Sequence, residues 1–318
     1  KGQPGSESVQ IRVRGQGTYS GTGSDPLILI NGVEGDLASL DPNIIESVSV
    51  LKDAASASIY GSRAANGVIL ITTKNGSEVK ERVSIRYNGN FAVYNPTTLL
   101  DLIWDSPTYM KYFNMAKDNS GAPATDRYSD EMIANYTNPS DPTKYPSFNW
   151  LDYMFNPAFV QQHNLSIAGT TGKTSYNASL SMVNQPGTLK GSEFKRYNAT
   201  LDLTSRVNDW VKFGMYFTGS RSNRQETRQG DTDAYLSTIS QAPTYMPWLP
   251  DDGTGIKRYA SKAFSFESNN KNMVAIVETE NFKTNVNTDV NAQAWLEVNP
   301  IKGLTWYTKG AMRYKQQH

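Results

Sequence analysis

The sequence predicts a transmembrane β-barrel, partial at about seven strands, with a small mixed α/β domain at its N-terminus. Three observations lead there. From residue 83 onward, apolar and polar residues alternate at period two over segments that often exceed the ~5–6 residues of an ordinary strand. The polar positions are mainly Asn, Ser, Thr and Gln, as on a solvated lumen wall, whereas a soluble sandwich shows Lys and Glu to water. The connections alternate long and short, as they do when the two rims of a barrel face different compartments.

Residues 1–76 make the first domain. Ile11-Arg12-Val13-Arg14-Gly15 precedes a Gly/Ser-rich loop, followed by Asp25-Pro26, the apolar run Leu27–Ile30, Asn31-Gly32-Val33 and Asp41-Pro42-Asn43. Residues 46–76 predict a strand, a short helix, a tight turn and a second strand. Val48 and Val50 alternate with polar neighbours, and Asp53 is placed to cap a helix of small residues that ends near Gly61. Asn66-Gly67 signals a turn, and Val68–Ile71 is a short apolar run bounded by turn residues.

Residues 77–318 are predicted to be the first portion of the barrel. Its strands are marked by Val83, Ile85, Tyr87, Phe91 and Val93, by Leu165 and Ile167, and by Tyr176, Ala178, Leu180 and Met182. Tyr197, Ala199, Leu201 and Leu203 mark the next, then Val211, Phe213, Met215 and Phe217, Val290 to Val298 at alternate positions, and Leu304 to Tyr314. Long loops are expected at about 95–158 and 222–284, a medium one at 184–195, and short turns at 170–173, 208–210 and 299–303. If the strand at 83–94 rises from the periplasm, every long loop falls outside and every short turn inside. An open sheet edge in lipid leaves N–H and C=O groups unpaired at several kcal/mol each, so these strands are expected to belong to a closed barrel, most of it beyond His318.

Bulk properties exclude several classes. A net charge of +1 gives no case for nucleic acid. The absence of cysteine removes disulfides, thiolate metal sites and cysteine nucleophiles. No apolar stretch reaches the ~18–20 residues of a membrane helix, which leaves strands as the means of crossing a bilayer.

In order and identity, residues 8–76 resemble the plug domain of TonB-dependent outer-membrane transporters. Lys52-Asp53-Ala54 before the short helix resembles the SusC/RagA branch, where siderophore and cobalamin transporters more often have arginine-glycine-proline. His163–Ile167 and Phe194–Ala199 resemble the opening barrel strands of SusC-type transporters. The resemblance implies residence in the outer membrane of a Gram-negative bacterium, in contact with its lipid. It implies active import of an oligosaccharide or oligopeptide, with a SusD-like surface lipoprotein as a lid. Coupling to TonB would run through a segment preceding Lys1. No step makes or breaks a covalent bond, so the chain is expected not to be an enzyme and to need no catalytic residue, cofactor or metal.

Several motifs carry two readings. Gly15 to Gly23 has the glycine spacing of a nucleotide loop, but Pro26 and a strand follow where that site needs a helix N-terminus. It remains either a plain plug loop or a lumen-facing one in which Tyr19 and Asp25 touch substrate. Glu46, Lys52, Asp53 and Arg63 are expected to dock the plug against the wall rather than contact ligand. His163 and His318 have no metal spacing, and His163 is expected at the membrane interface. Asp251–Gly255 is expected to be a surface turn, since it lacks the spaced oxygen ligands of a calcium loop. An amphipathic helix is expected around Leu99–Lys117. Trp104, Tyr109, Trp150, Tyr245 and Trp248 either pack the long loops together or present a surface to the lid or to substrate. Two competing classes stay open: a siderophore- or cobalamin-type receptor without a lid, and a soluble secreted glycan-binding β-protein.

Overall fold

The structure, a computed structural model, describes residues 4–5, 25–52, 58–64, 66–76, 83–267 and 271–318. They form a small four-stranded sheet and a large seven-stranded one.

The small sheet has the order β2-β1-β4-β3, with β1 at Leu27–Ile30, β2 at Val33–Glu34, β3 at Ile45–Leu51 and β4 at Val68–Thr73. β1 runs parallel to β4, pairing Leu27 with Val68 and Ile30 with Ile71, and β3 is antiparallel to β4. Asn31 and Gly32, at φ 49° and 80°, make the two-residue hairpin to β2, a conformation that favours Asn-Gly. Beyond it, two 3-10 turns begin at Asp36 and Asp41, whose carboxylates accept hydrogen bonds from the amides of Ala38 and Asn43. Between β3 and β4, Ser58–Ala64 is a pair of 3-10 turns kinked at Gly61 (φ 68°). The proposed cap Asp53 lies outside the described residues. Val48 and Val50 are 54% and 42% exposed. They alternate as expected, but β3 is an edge strand, and among the described residues nothing covers that side.

The large sheet is an uninterrupted antiparallel meander. Its strands are β5 (Ser84–Tyr94), β6 (Ala158–Thr171), β7 (Thr174–Pro186), β8 (Glu193–Arg206), β9 (Val211–Thr227), β10 (Phe282–Ile301) and β11 (Leu304–Gln317). β5 and β11 are its edges, so the barrel is partial and open within this chain. The register lines up the alternation of every strand. Leu165 pairs with Leu180, Leu180 with Ala199, Leu201 with Phe217, Phe217 with Ala292 and Ala292 with Met312. On the other face Asn164 pairs with Ser181, Ser181 with Asn198 and Asn198 with Ser220. Leu180 is 62% exposed and Asn164 only 3%. Exposed leucine over buried asparagine inverts a soluble core and fits a barrel with lipid outside and a polar filling within.

Short turns join the strands on one rim, with Gly172 (φ 58°) and Gly303 (φ 88°) taking left-handed conformations. The long connections fall on the other rim. β9 continues to Thr227 and β10 begins at Phe282, so the second long loop is shorter than expected. Backbone pairing extends there through polar residues, which period-two hydrophobicity does not report. The described residues of the loops form five α-helices: α1 (Ser106–Asn119), α2 (Asp130–Thr137), α3 (Trp150–Met154), α4 (Asp231–Ile239) and α5 (Met273–Glu278). α1 starts later than the expected Leu99, because the Asp105 carboxylate caps Thr108 N at 3.0 Å and Pro107 occupies the first turn.

Facing can be tested by charge insertion. Leu201→Arg, on the apolar face, should cost about 2–4 kcal/mol near the bilayer midplane. Gln162→Arg, on the opposite and solvent-exposed face, should stay within about 0.5 kcal/mol. Denaturant unfolding in lipid vesicles reads both, and equal losses would contradict the assignment of faces.

Candidate functional site

The small domain is seated on the polar face of the large sheet. The seat is built from wall side chains that donate to its backbone and to two of its carboxylates. Asn164 Nδ2 donates to Asp41 Oδ2 at 2.6 Å, with both residues buried. The same aspartate also caps its own turn, so one carboxylate fixes both local structure and docking. Asn177 Nδ2 donates to the Lys74 carbonyl at 2.9 Å, Thr170 Oγ1 to Gly76 O at 3.1 Å and an Arg196 guanidinium N–H to Ala38 O at 2.7 Å. Gln293 Nε2 donates to Ile30 O at 3.3 Å, and Lys309 Nζ donates to Asn31 O. Lys315 Nζ lies 3.1 Å from Asp36 Oδ2. Burial raises the Asp36 carboxyl, but hydrogen bonds from Lys315 and the Ala38 amide outweigh it, leaving it below the ordinary carboxylate range. Among the described residues, Tyr216 of β9 is the one wall side chain within the small domain's main apolar cluster, against Ile30, Leu40, Ile44, Ile69 and Ile71.

Gly76 marks the closest approach. A Cβ there would stand 2.3 Å from the Tyr176 carbonyl oxygen and 2.4 Å from its nitrogen, so only glycine lets the chain leave the small domain at this point. Polar recesses remain beside the seat. One of about 550 Å³ is lined by Asp41, Asn43, Asn90, Gln162, Asn164 and Arg196, and one of about 240 Å³ by Asp36, Ser222, Asn287, Asp289, Lys315 and Gln317. Their hydroxyls, amides and charges can hydrogen-bond a ligand.

The long loops fold into one body. Trp150, Met154, Leu189, Ala234, Tyr245, Met273 and Val274 form its main core, with contributions from three different connections. A second cluster gathers Met110, Tyr128 and Tyr136 with Phe264 and Phe266. Buried Glu267 accepts from the Tyr128 and Thr244 hydroxyls, each at 2.5 Å, and pins the two long loops together. Glu278 accepts from Trp248 Nε1 at 3.0 Å and the Tyr259 hydroxyl at 2.9 Å, and pairs with Lys257 at 2.6 Å. Burial raises its carboxyl, but the hydrogen bonds from Lys257, Trp248 and Tyr259 dominate and hold it down to about 2.

Among the residues singled out in the sequence, Trp150 and Tyr245 are buried in the loop core, and Tyr109 and Trp248 are half-buried against it. Trp104 is 54% exposed, in a segment with exposed Leu100 and Ile103. Asp25 is exposed just before β1, its carbonyl accepting from Asn66 Nδ2 at 3.5 Å. Glu46 is exposed on β3 and Lys52 lies exposed past its end. Tyr19, Asp53 and the Arg63 side chain fall outside the described residues. Sequence reasoning missed Asp36, Asp41, Asn164 and Lys315. Asp36 and Asp41 stand at turn-capping positions, a local signal that predicts a cap and is silent on a partner more than a hundred residues away. His163 lies on the apolar face beside Tyr87, whose hydroxyl is 2.6 Å from Nδ1. Asp251–Gly255 is an exposed turn in which Asp251 and Asp252 accept from the amides of Gly253 and Thr254.

A small α/β domain resting on the polar face of a membrane-type antiparallel sheet defines a plugged outer-membrane barrel. Residues 1–68 match the family model of the TonB-dependent receptor plug domain. The TonB-dependent receptor SusC of Bacteroides thetaiotaomicron is 30% identical over 312 residues, covering 90% of this chain and 29% of that protein. The TonB-dependent receptor P26 of Formosa agariphila is 32% identical over 260 residues, covering 80% of this chain and 24% of its own length. The RagAB peptide importer in its closed-closed state superposes with a TM-score of 0.65 at 26% identity, over 93% of this chain and 35% of that one. The chain belongs to the SusC/RagA-like TonB-dependent transporters, and it spans about a quarter to a third of the length of these relatives.

Two outcomes follow from the geometry. Gly76→Ala should unseat the plug at a cost of about 1–3 kcal/mol, read as faster amide exchange in β1 and β4. Unchanged protection would contradict the close approach. The Glu278 carboxyl is lowered from its ordinary 4.5 to about 2 on folding. Its stabilisation is therefore complete above about pH 4.5 and is lost as pH falls toward 2. Trp248 fluorescence should shift within that window in the wild type and not in Glu278→Gln.

Proposed function

We propose that the protein containing this chain imports an oligomeric nutrient, a glycan or a peptide, across the outer membrane. The observation that carries this reading is a plug held to the lumen wall mainly by hydrogen bonds. Such contacts exchange for water when the plug shifts, so displacing it costs less than parting a packed apolar interface. The outer membrane holds neither ATP nor an ion gradient, so the pull comes from TonB acting on a segment N-terminal to the plug. The relatives are named as receptors and importers rather than enzymes, and this chain is read in the same way, without a catalytic step.

A SusD-like surface lipoprotein is the proposed partner, and the loop body its contact. Trp150 and Tyr245 make that body rigid from within, while Trp104, Leu100 and Ile103 offer apolar surface on its outside. The proposed substrate contacts are the polar recesses beside Asp36 and Asp41, together with Tyr19 and Asp25.

This chain has no cysteine, so a pair of thiols introduced into it has no competing thiol within it. Asp41→Cys with Asn164→Cys, joined by a short cleavable bis-thiosulfonate, should stop uptake, and reductant should restore it to the level of the unbridged double variant. Uptake that continues through the bridged plug would contradict the import reading. Extraction from native outer membranes should co-purify a stoichiometric lipoprotein, and recovery of the barrel alone would favour a lidless receptor.

A further inference from the structure

The apolar face of the large sheet carries a recess. Leu180 pairs with Ala199, Ala199 with Gly219 and Gly219 with Val290, so the two smallest side chains of this row stand side by side between larger ones. The surface dips there. A Cβ at Gly219 would meet only the Phe217 ring, at 3.5 Å, so the space is open rather than filled from behind. The dip is a cavity of about 540 Å³ walled by Leu165, Leu180, Met182, Tyr197, Phe217 and Val290.

One step toward the long-loop rim, Arg221 lies opposite Tyr197 and Thr288 and lines the same cavity. It is exposed, and no hydrogen-bond or ion-pair partner of its guanidinium is found among the described residues. From the short-turn rim up to this step, the outward positions of β6–β10 hold no other Asp, Glu, Lys or Arg. The next cation outward, Lys195, is paired with Glu193 at 2.6 Å. Tyr197 and the Tyr87–His163 pair stand beside Arg221, the residue types that gather where hydrocarbon meets headgroups.

We propose that this recess is a binding site for an anionic lipid of the outer leaflet, with one acyl chain in the dip over Gly219 and a phosphate on Arg221. A bare cation on a lipid face is costly, and phosphate is the anion that the planar guanidinium matches with two parallel hydrogen bonds. The apolar trough and the single cation are complementary to an amphiphile with one negative head and apolar tails. A protein helix would fill the trough yet leave Arg221 without a counter-charge. The inference rests on the membrane reading of the barrel, and on the long-loop rim being the outer one.

The test uses the complete transporter, purified in detergent, stripped of lipid and offered either monophosphorylated lipid A or the same glycolipid without its phosphate. Native mass spectrometry counts the lipids retained. The wild type should prefer the phosphorylated form by about fivefold. Arg221→Gln should abolish the preference, Arg221→Lys should keep most of it, and Gly219→Leu should reduce retention of both lipids. Equal retention of the two lipids by the wild type, or a preference that survives in Arg221→Gln, overturns the proposal. So does a second copy of the chain or another protein found on this face in the same spectra. If Gly219→Leu does not fold, the two Arg221 variants decide the question by themselves. A transporter that stays monodisperse without detergent contradicts the membrane reading, whereas one that needs detergent but shows no lipid preference contradicts the lipid site alone.

Discussion

Everything in this chain depends on seven strands keeping their two faces in step. A strand has a side-chain period of two, so a slip of one residue between any neighbours would turn leucines into the lumen and asparagines into lipid. The register runs without such a slip from β5 to β11, apart from a bulge near the β10–β11 turn. That continuity makes one surface apolar enough for hydrocarbon and the other polar enough to receive a plug. Bilayer physics supplies the incentive, because strands in lipid have no water to satisfy a broken ladder.

The plug's attachment follows from the same division. A wall of Asn, Ser, Thr and Gln offers donors and acceptors, and the plug answers with carbonyls at Ile30, Asn31, Ala38, Lys74 and Gly76 and carboxylates at Asp36 and Asp41. Among the described residues, Tyr216 alone joins the plug's main apolar core from the wall. The plug thus keeps a core of its own, made by β1, β4 and the 3-10 turns, while its fit to the wall is polar and replaceable by water. Above the barrel the logic reverses. The loop body is held by buried aromatics and by carboxylates such as Glu267 sharing several donors, an arrangement suited to a fixed shape.

Much of this was legible in the sequence, and for a physical reason. Alternation at period two writes a strand's facing directly into the order of residues, so the seven strands, their polarity and the sides of the loops could be read from Val83 to Tyr314. The plug's turn at Asn66-Gly67 was readable because glycine favours the left-handed backbone that Gly67 takes (φ 94°), whereas the Asn31-Gly32 hairpin was not singled out. What escaped reading was long-range. The Asp41–Asn164 and Asp36–Lys315 contacts join residues 123 and 279 positions apart, and nothing in the local pattern of either partner names the other. Loop aromatics were equally ambiguous. Trp150 and Trp104 each stand between one aliphatic and one polar neighbour, yet one is 4% exposed and the other 54%, because burial there depends on how two distant loops meet. α1 starts at Ser106 rather than at Leu99 because the cap at Asp105 and the proline after Ser106 set its first turn, which the apolar run before them does not.

The two-faced sheet is tested most directly by a nitroxide scan along β8 in a lipid bilayer, one introduced cysteine at a time from residue 197 to 204. Collisions with oxygen should be high at Tyr197, Ala199, Leu201 and Leu203. They should be low at Asn198, Thr200, Asp202 and Thr204, where the plug and lumen wall lie. A flat profile, or an alternation of opposite phase, would contradict the account of a barrel strand with lipid on one side and the plug seat on the other.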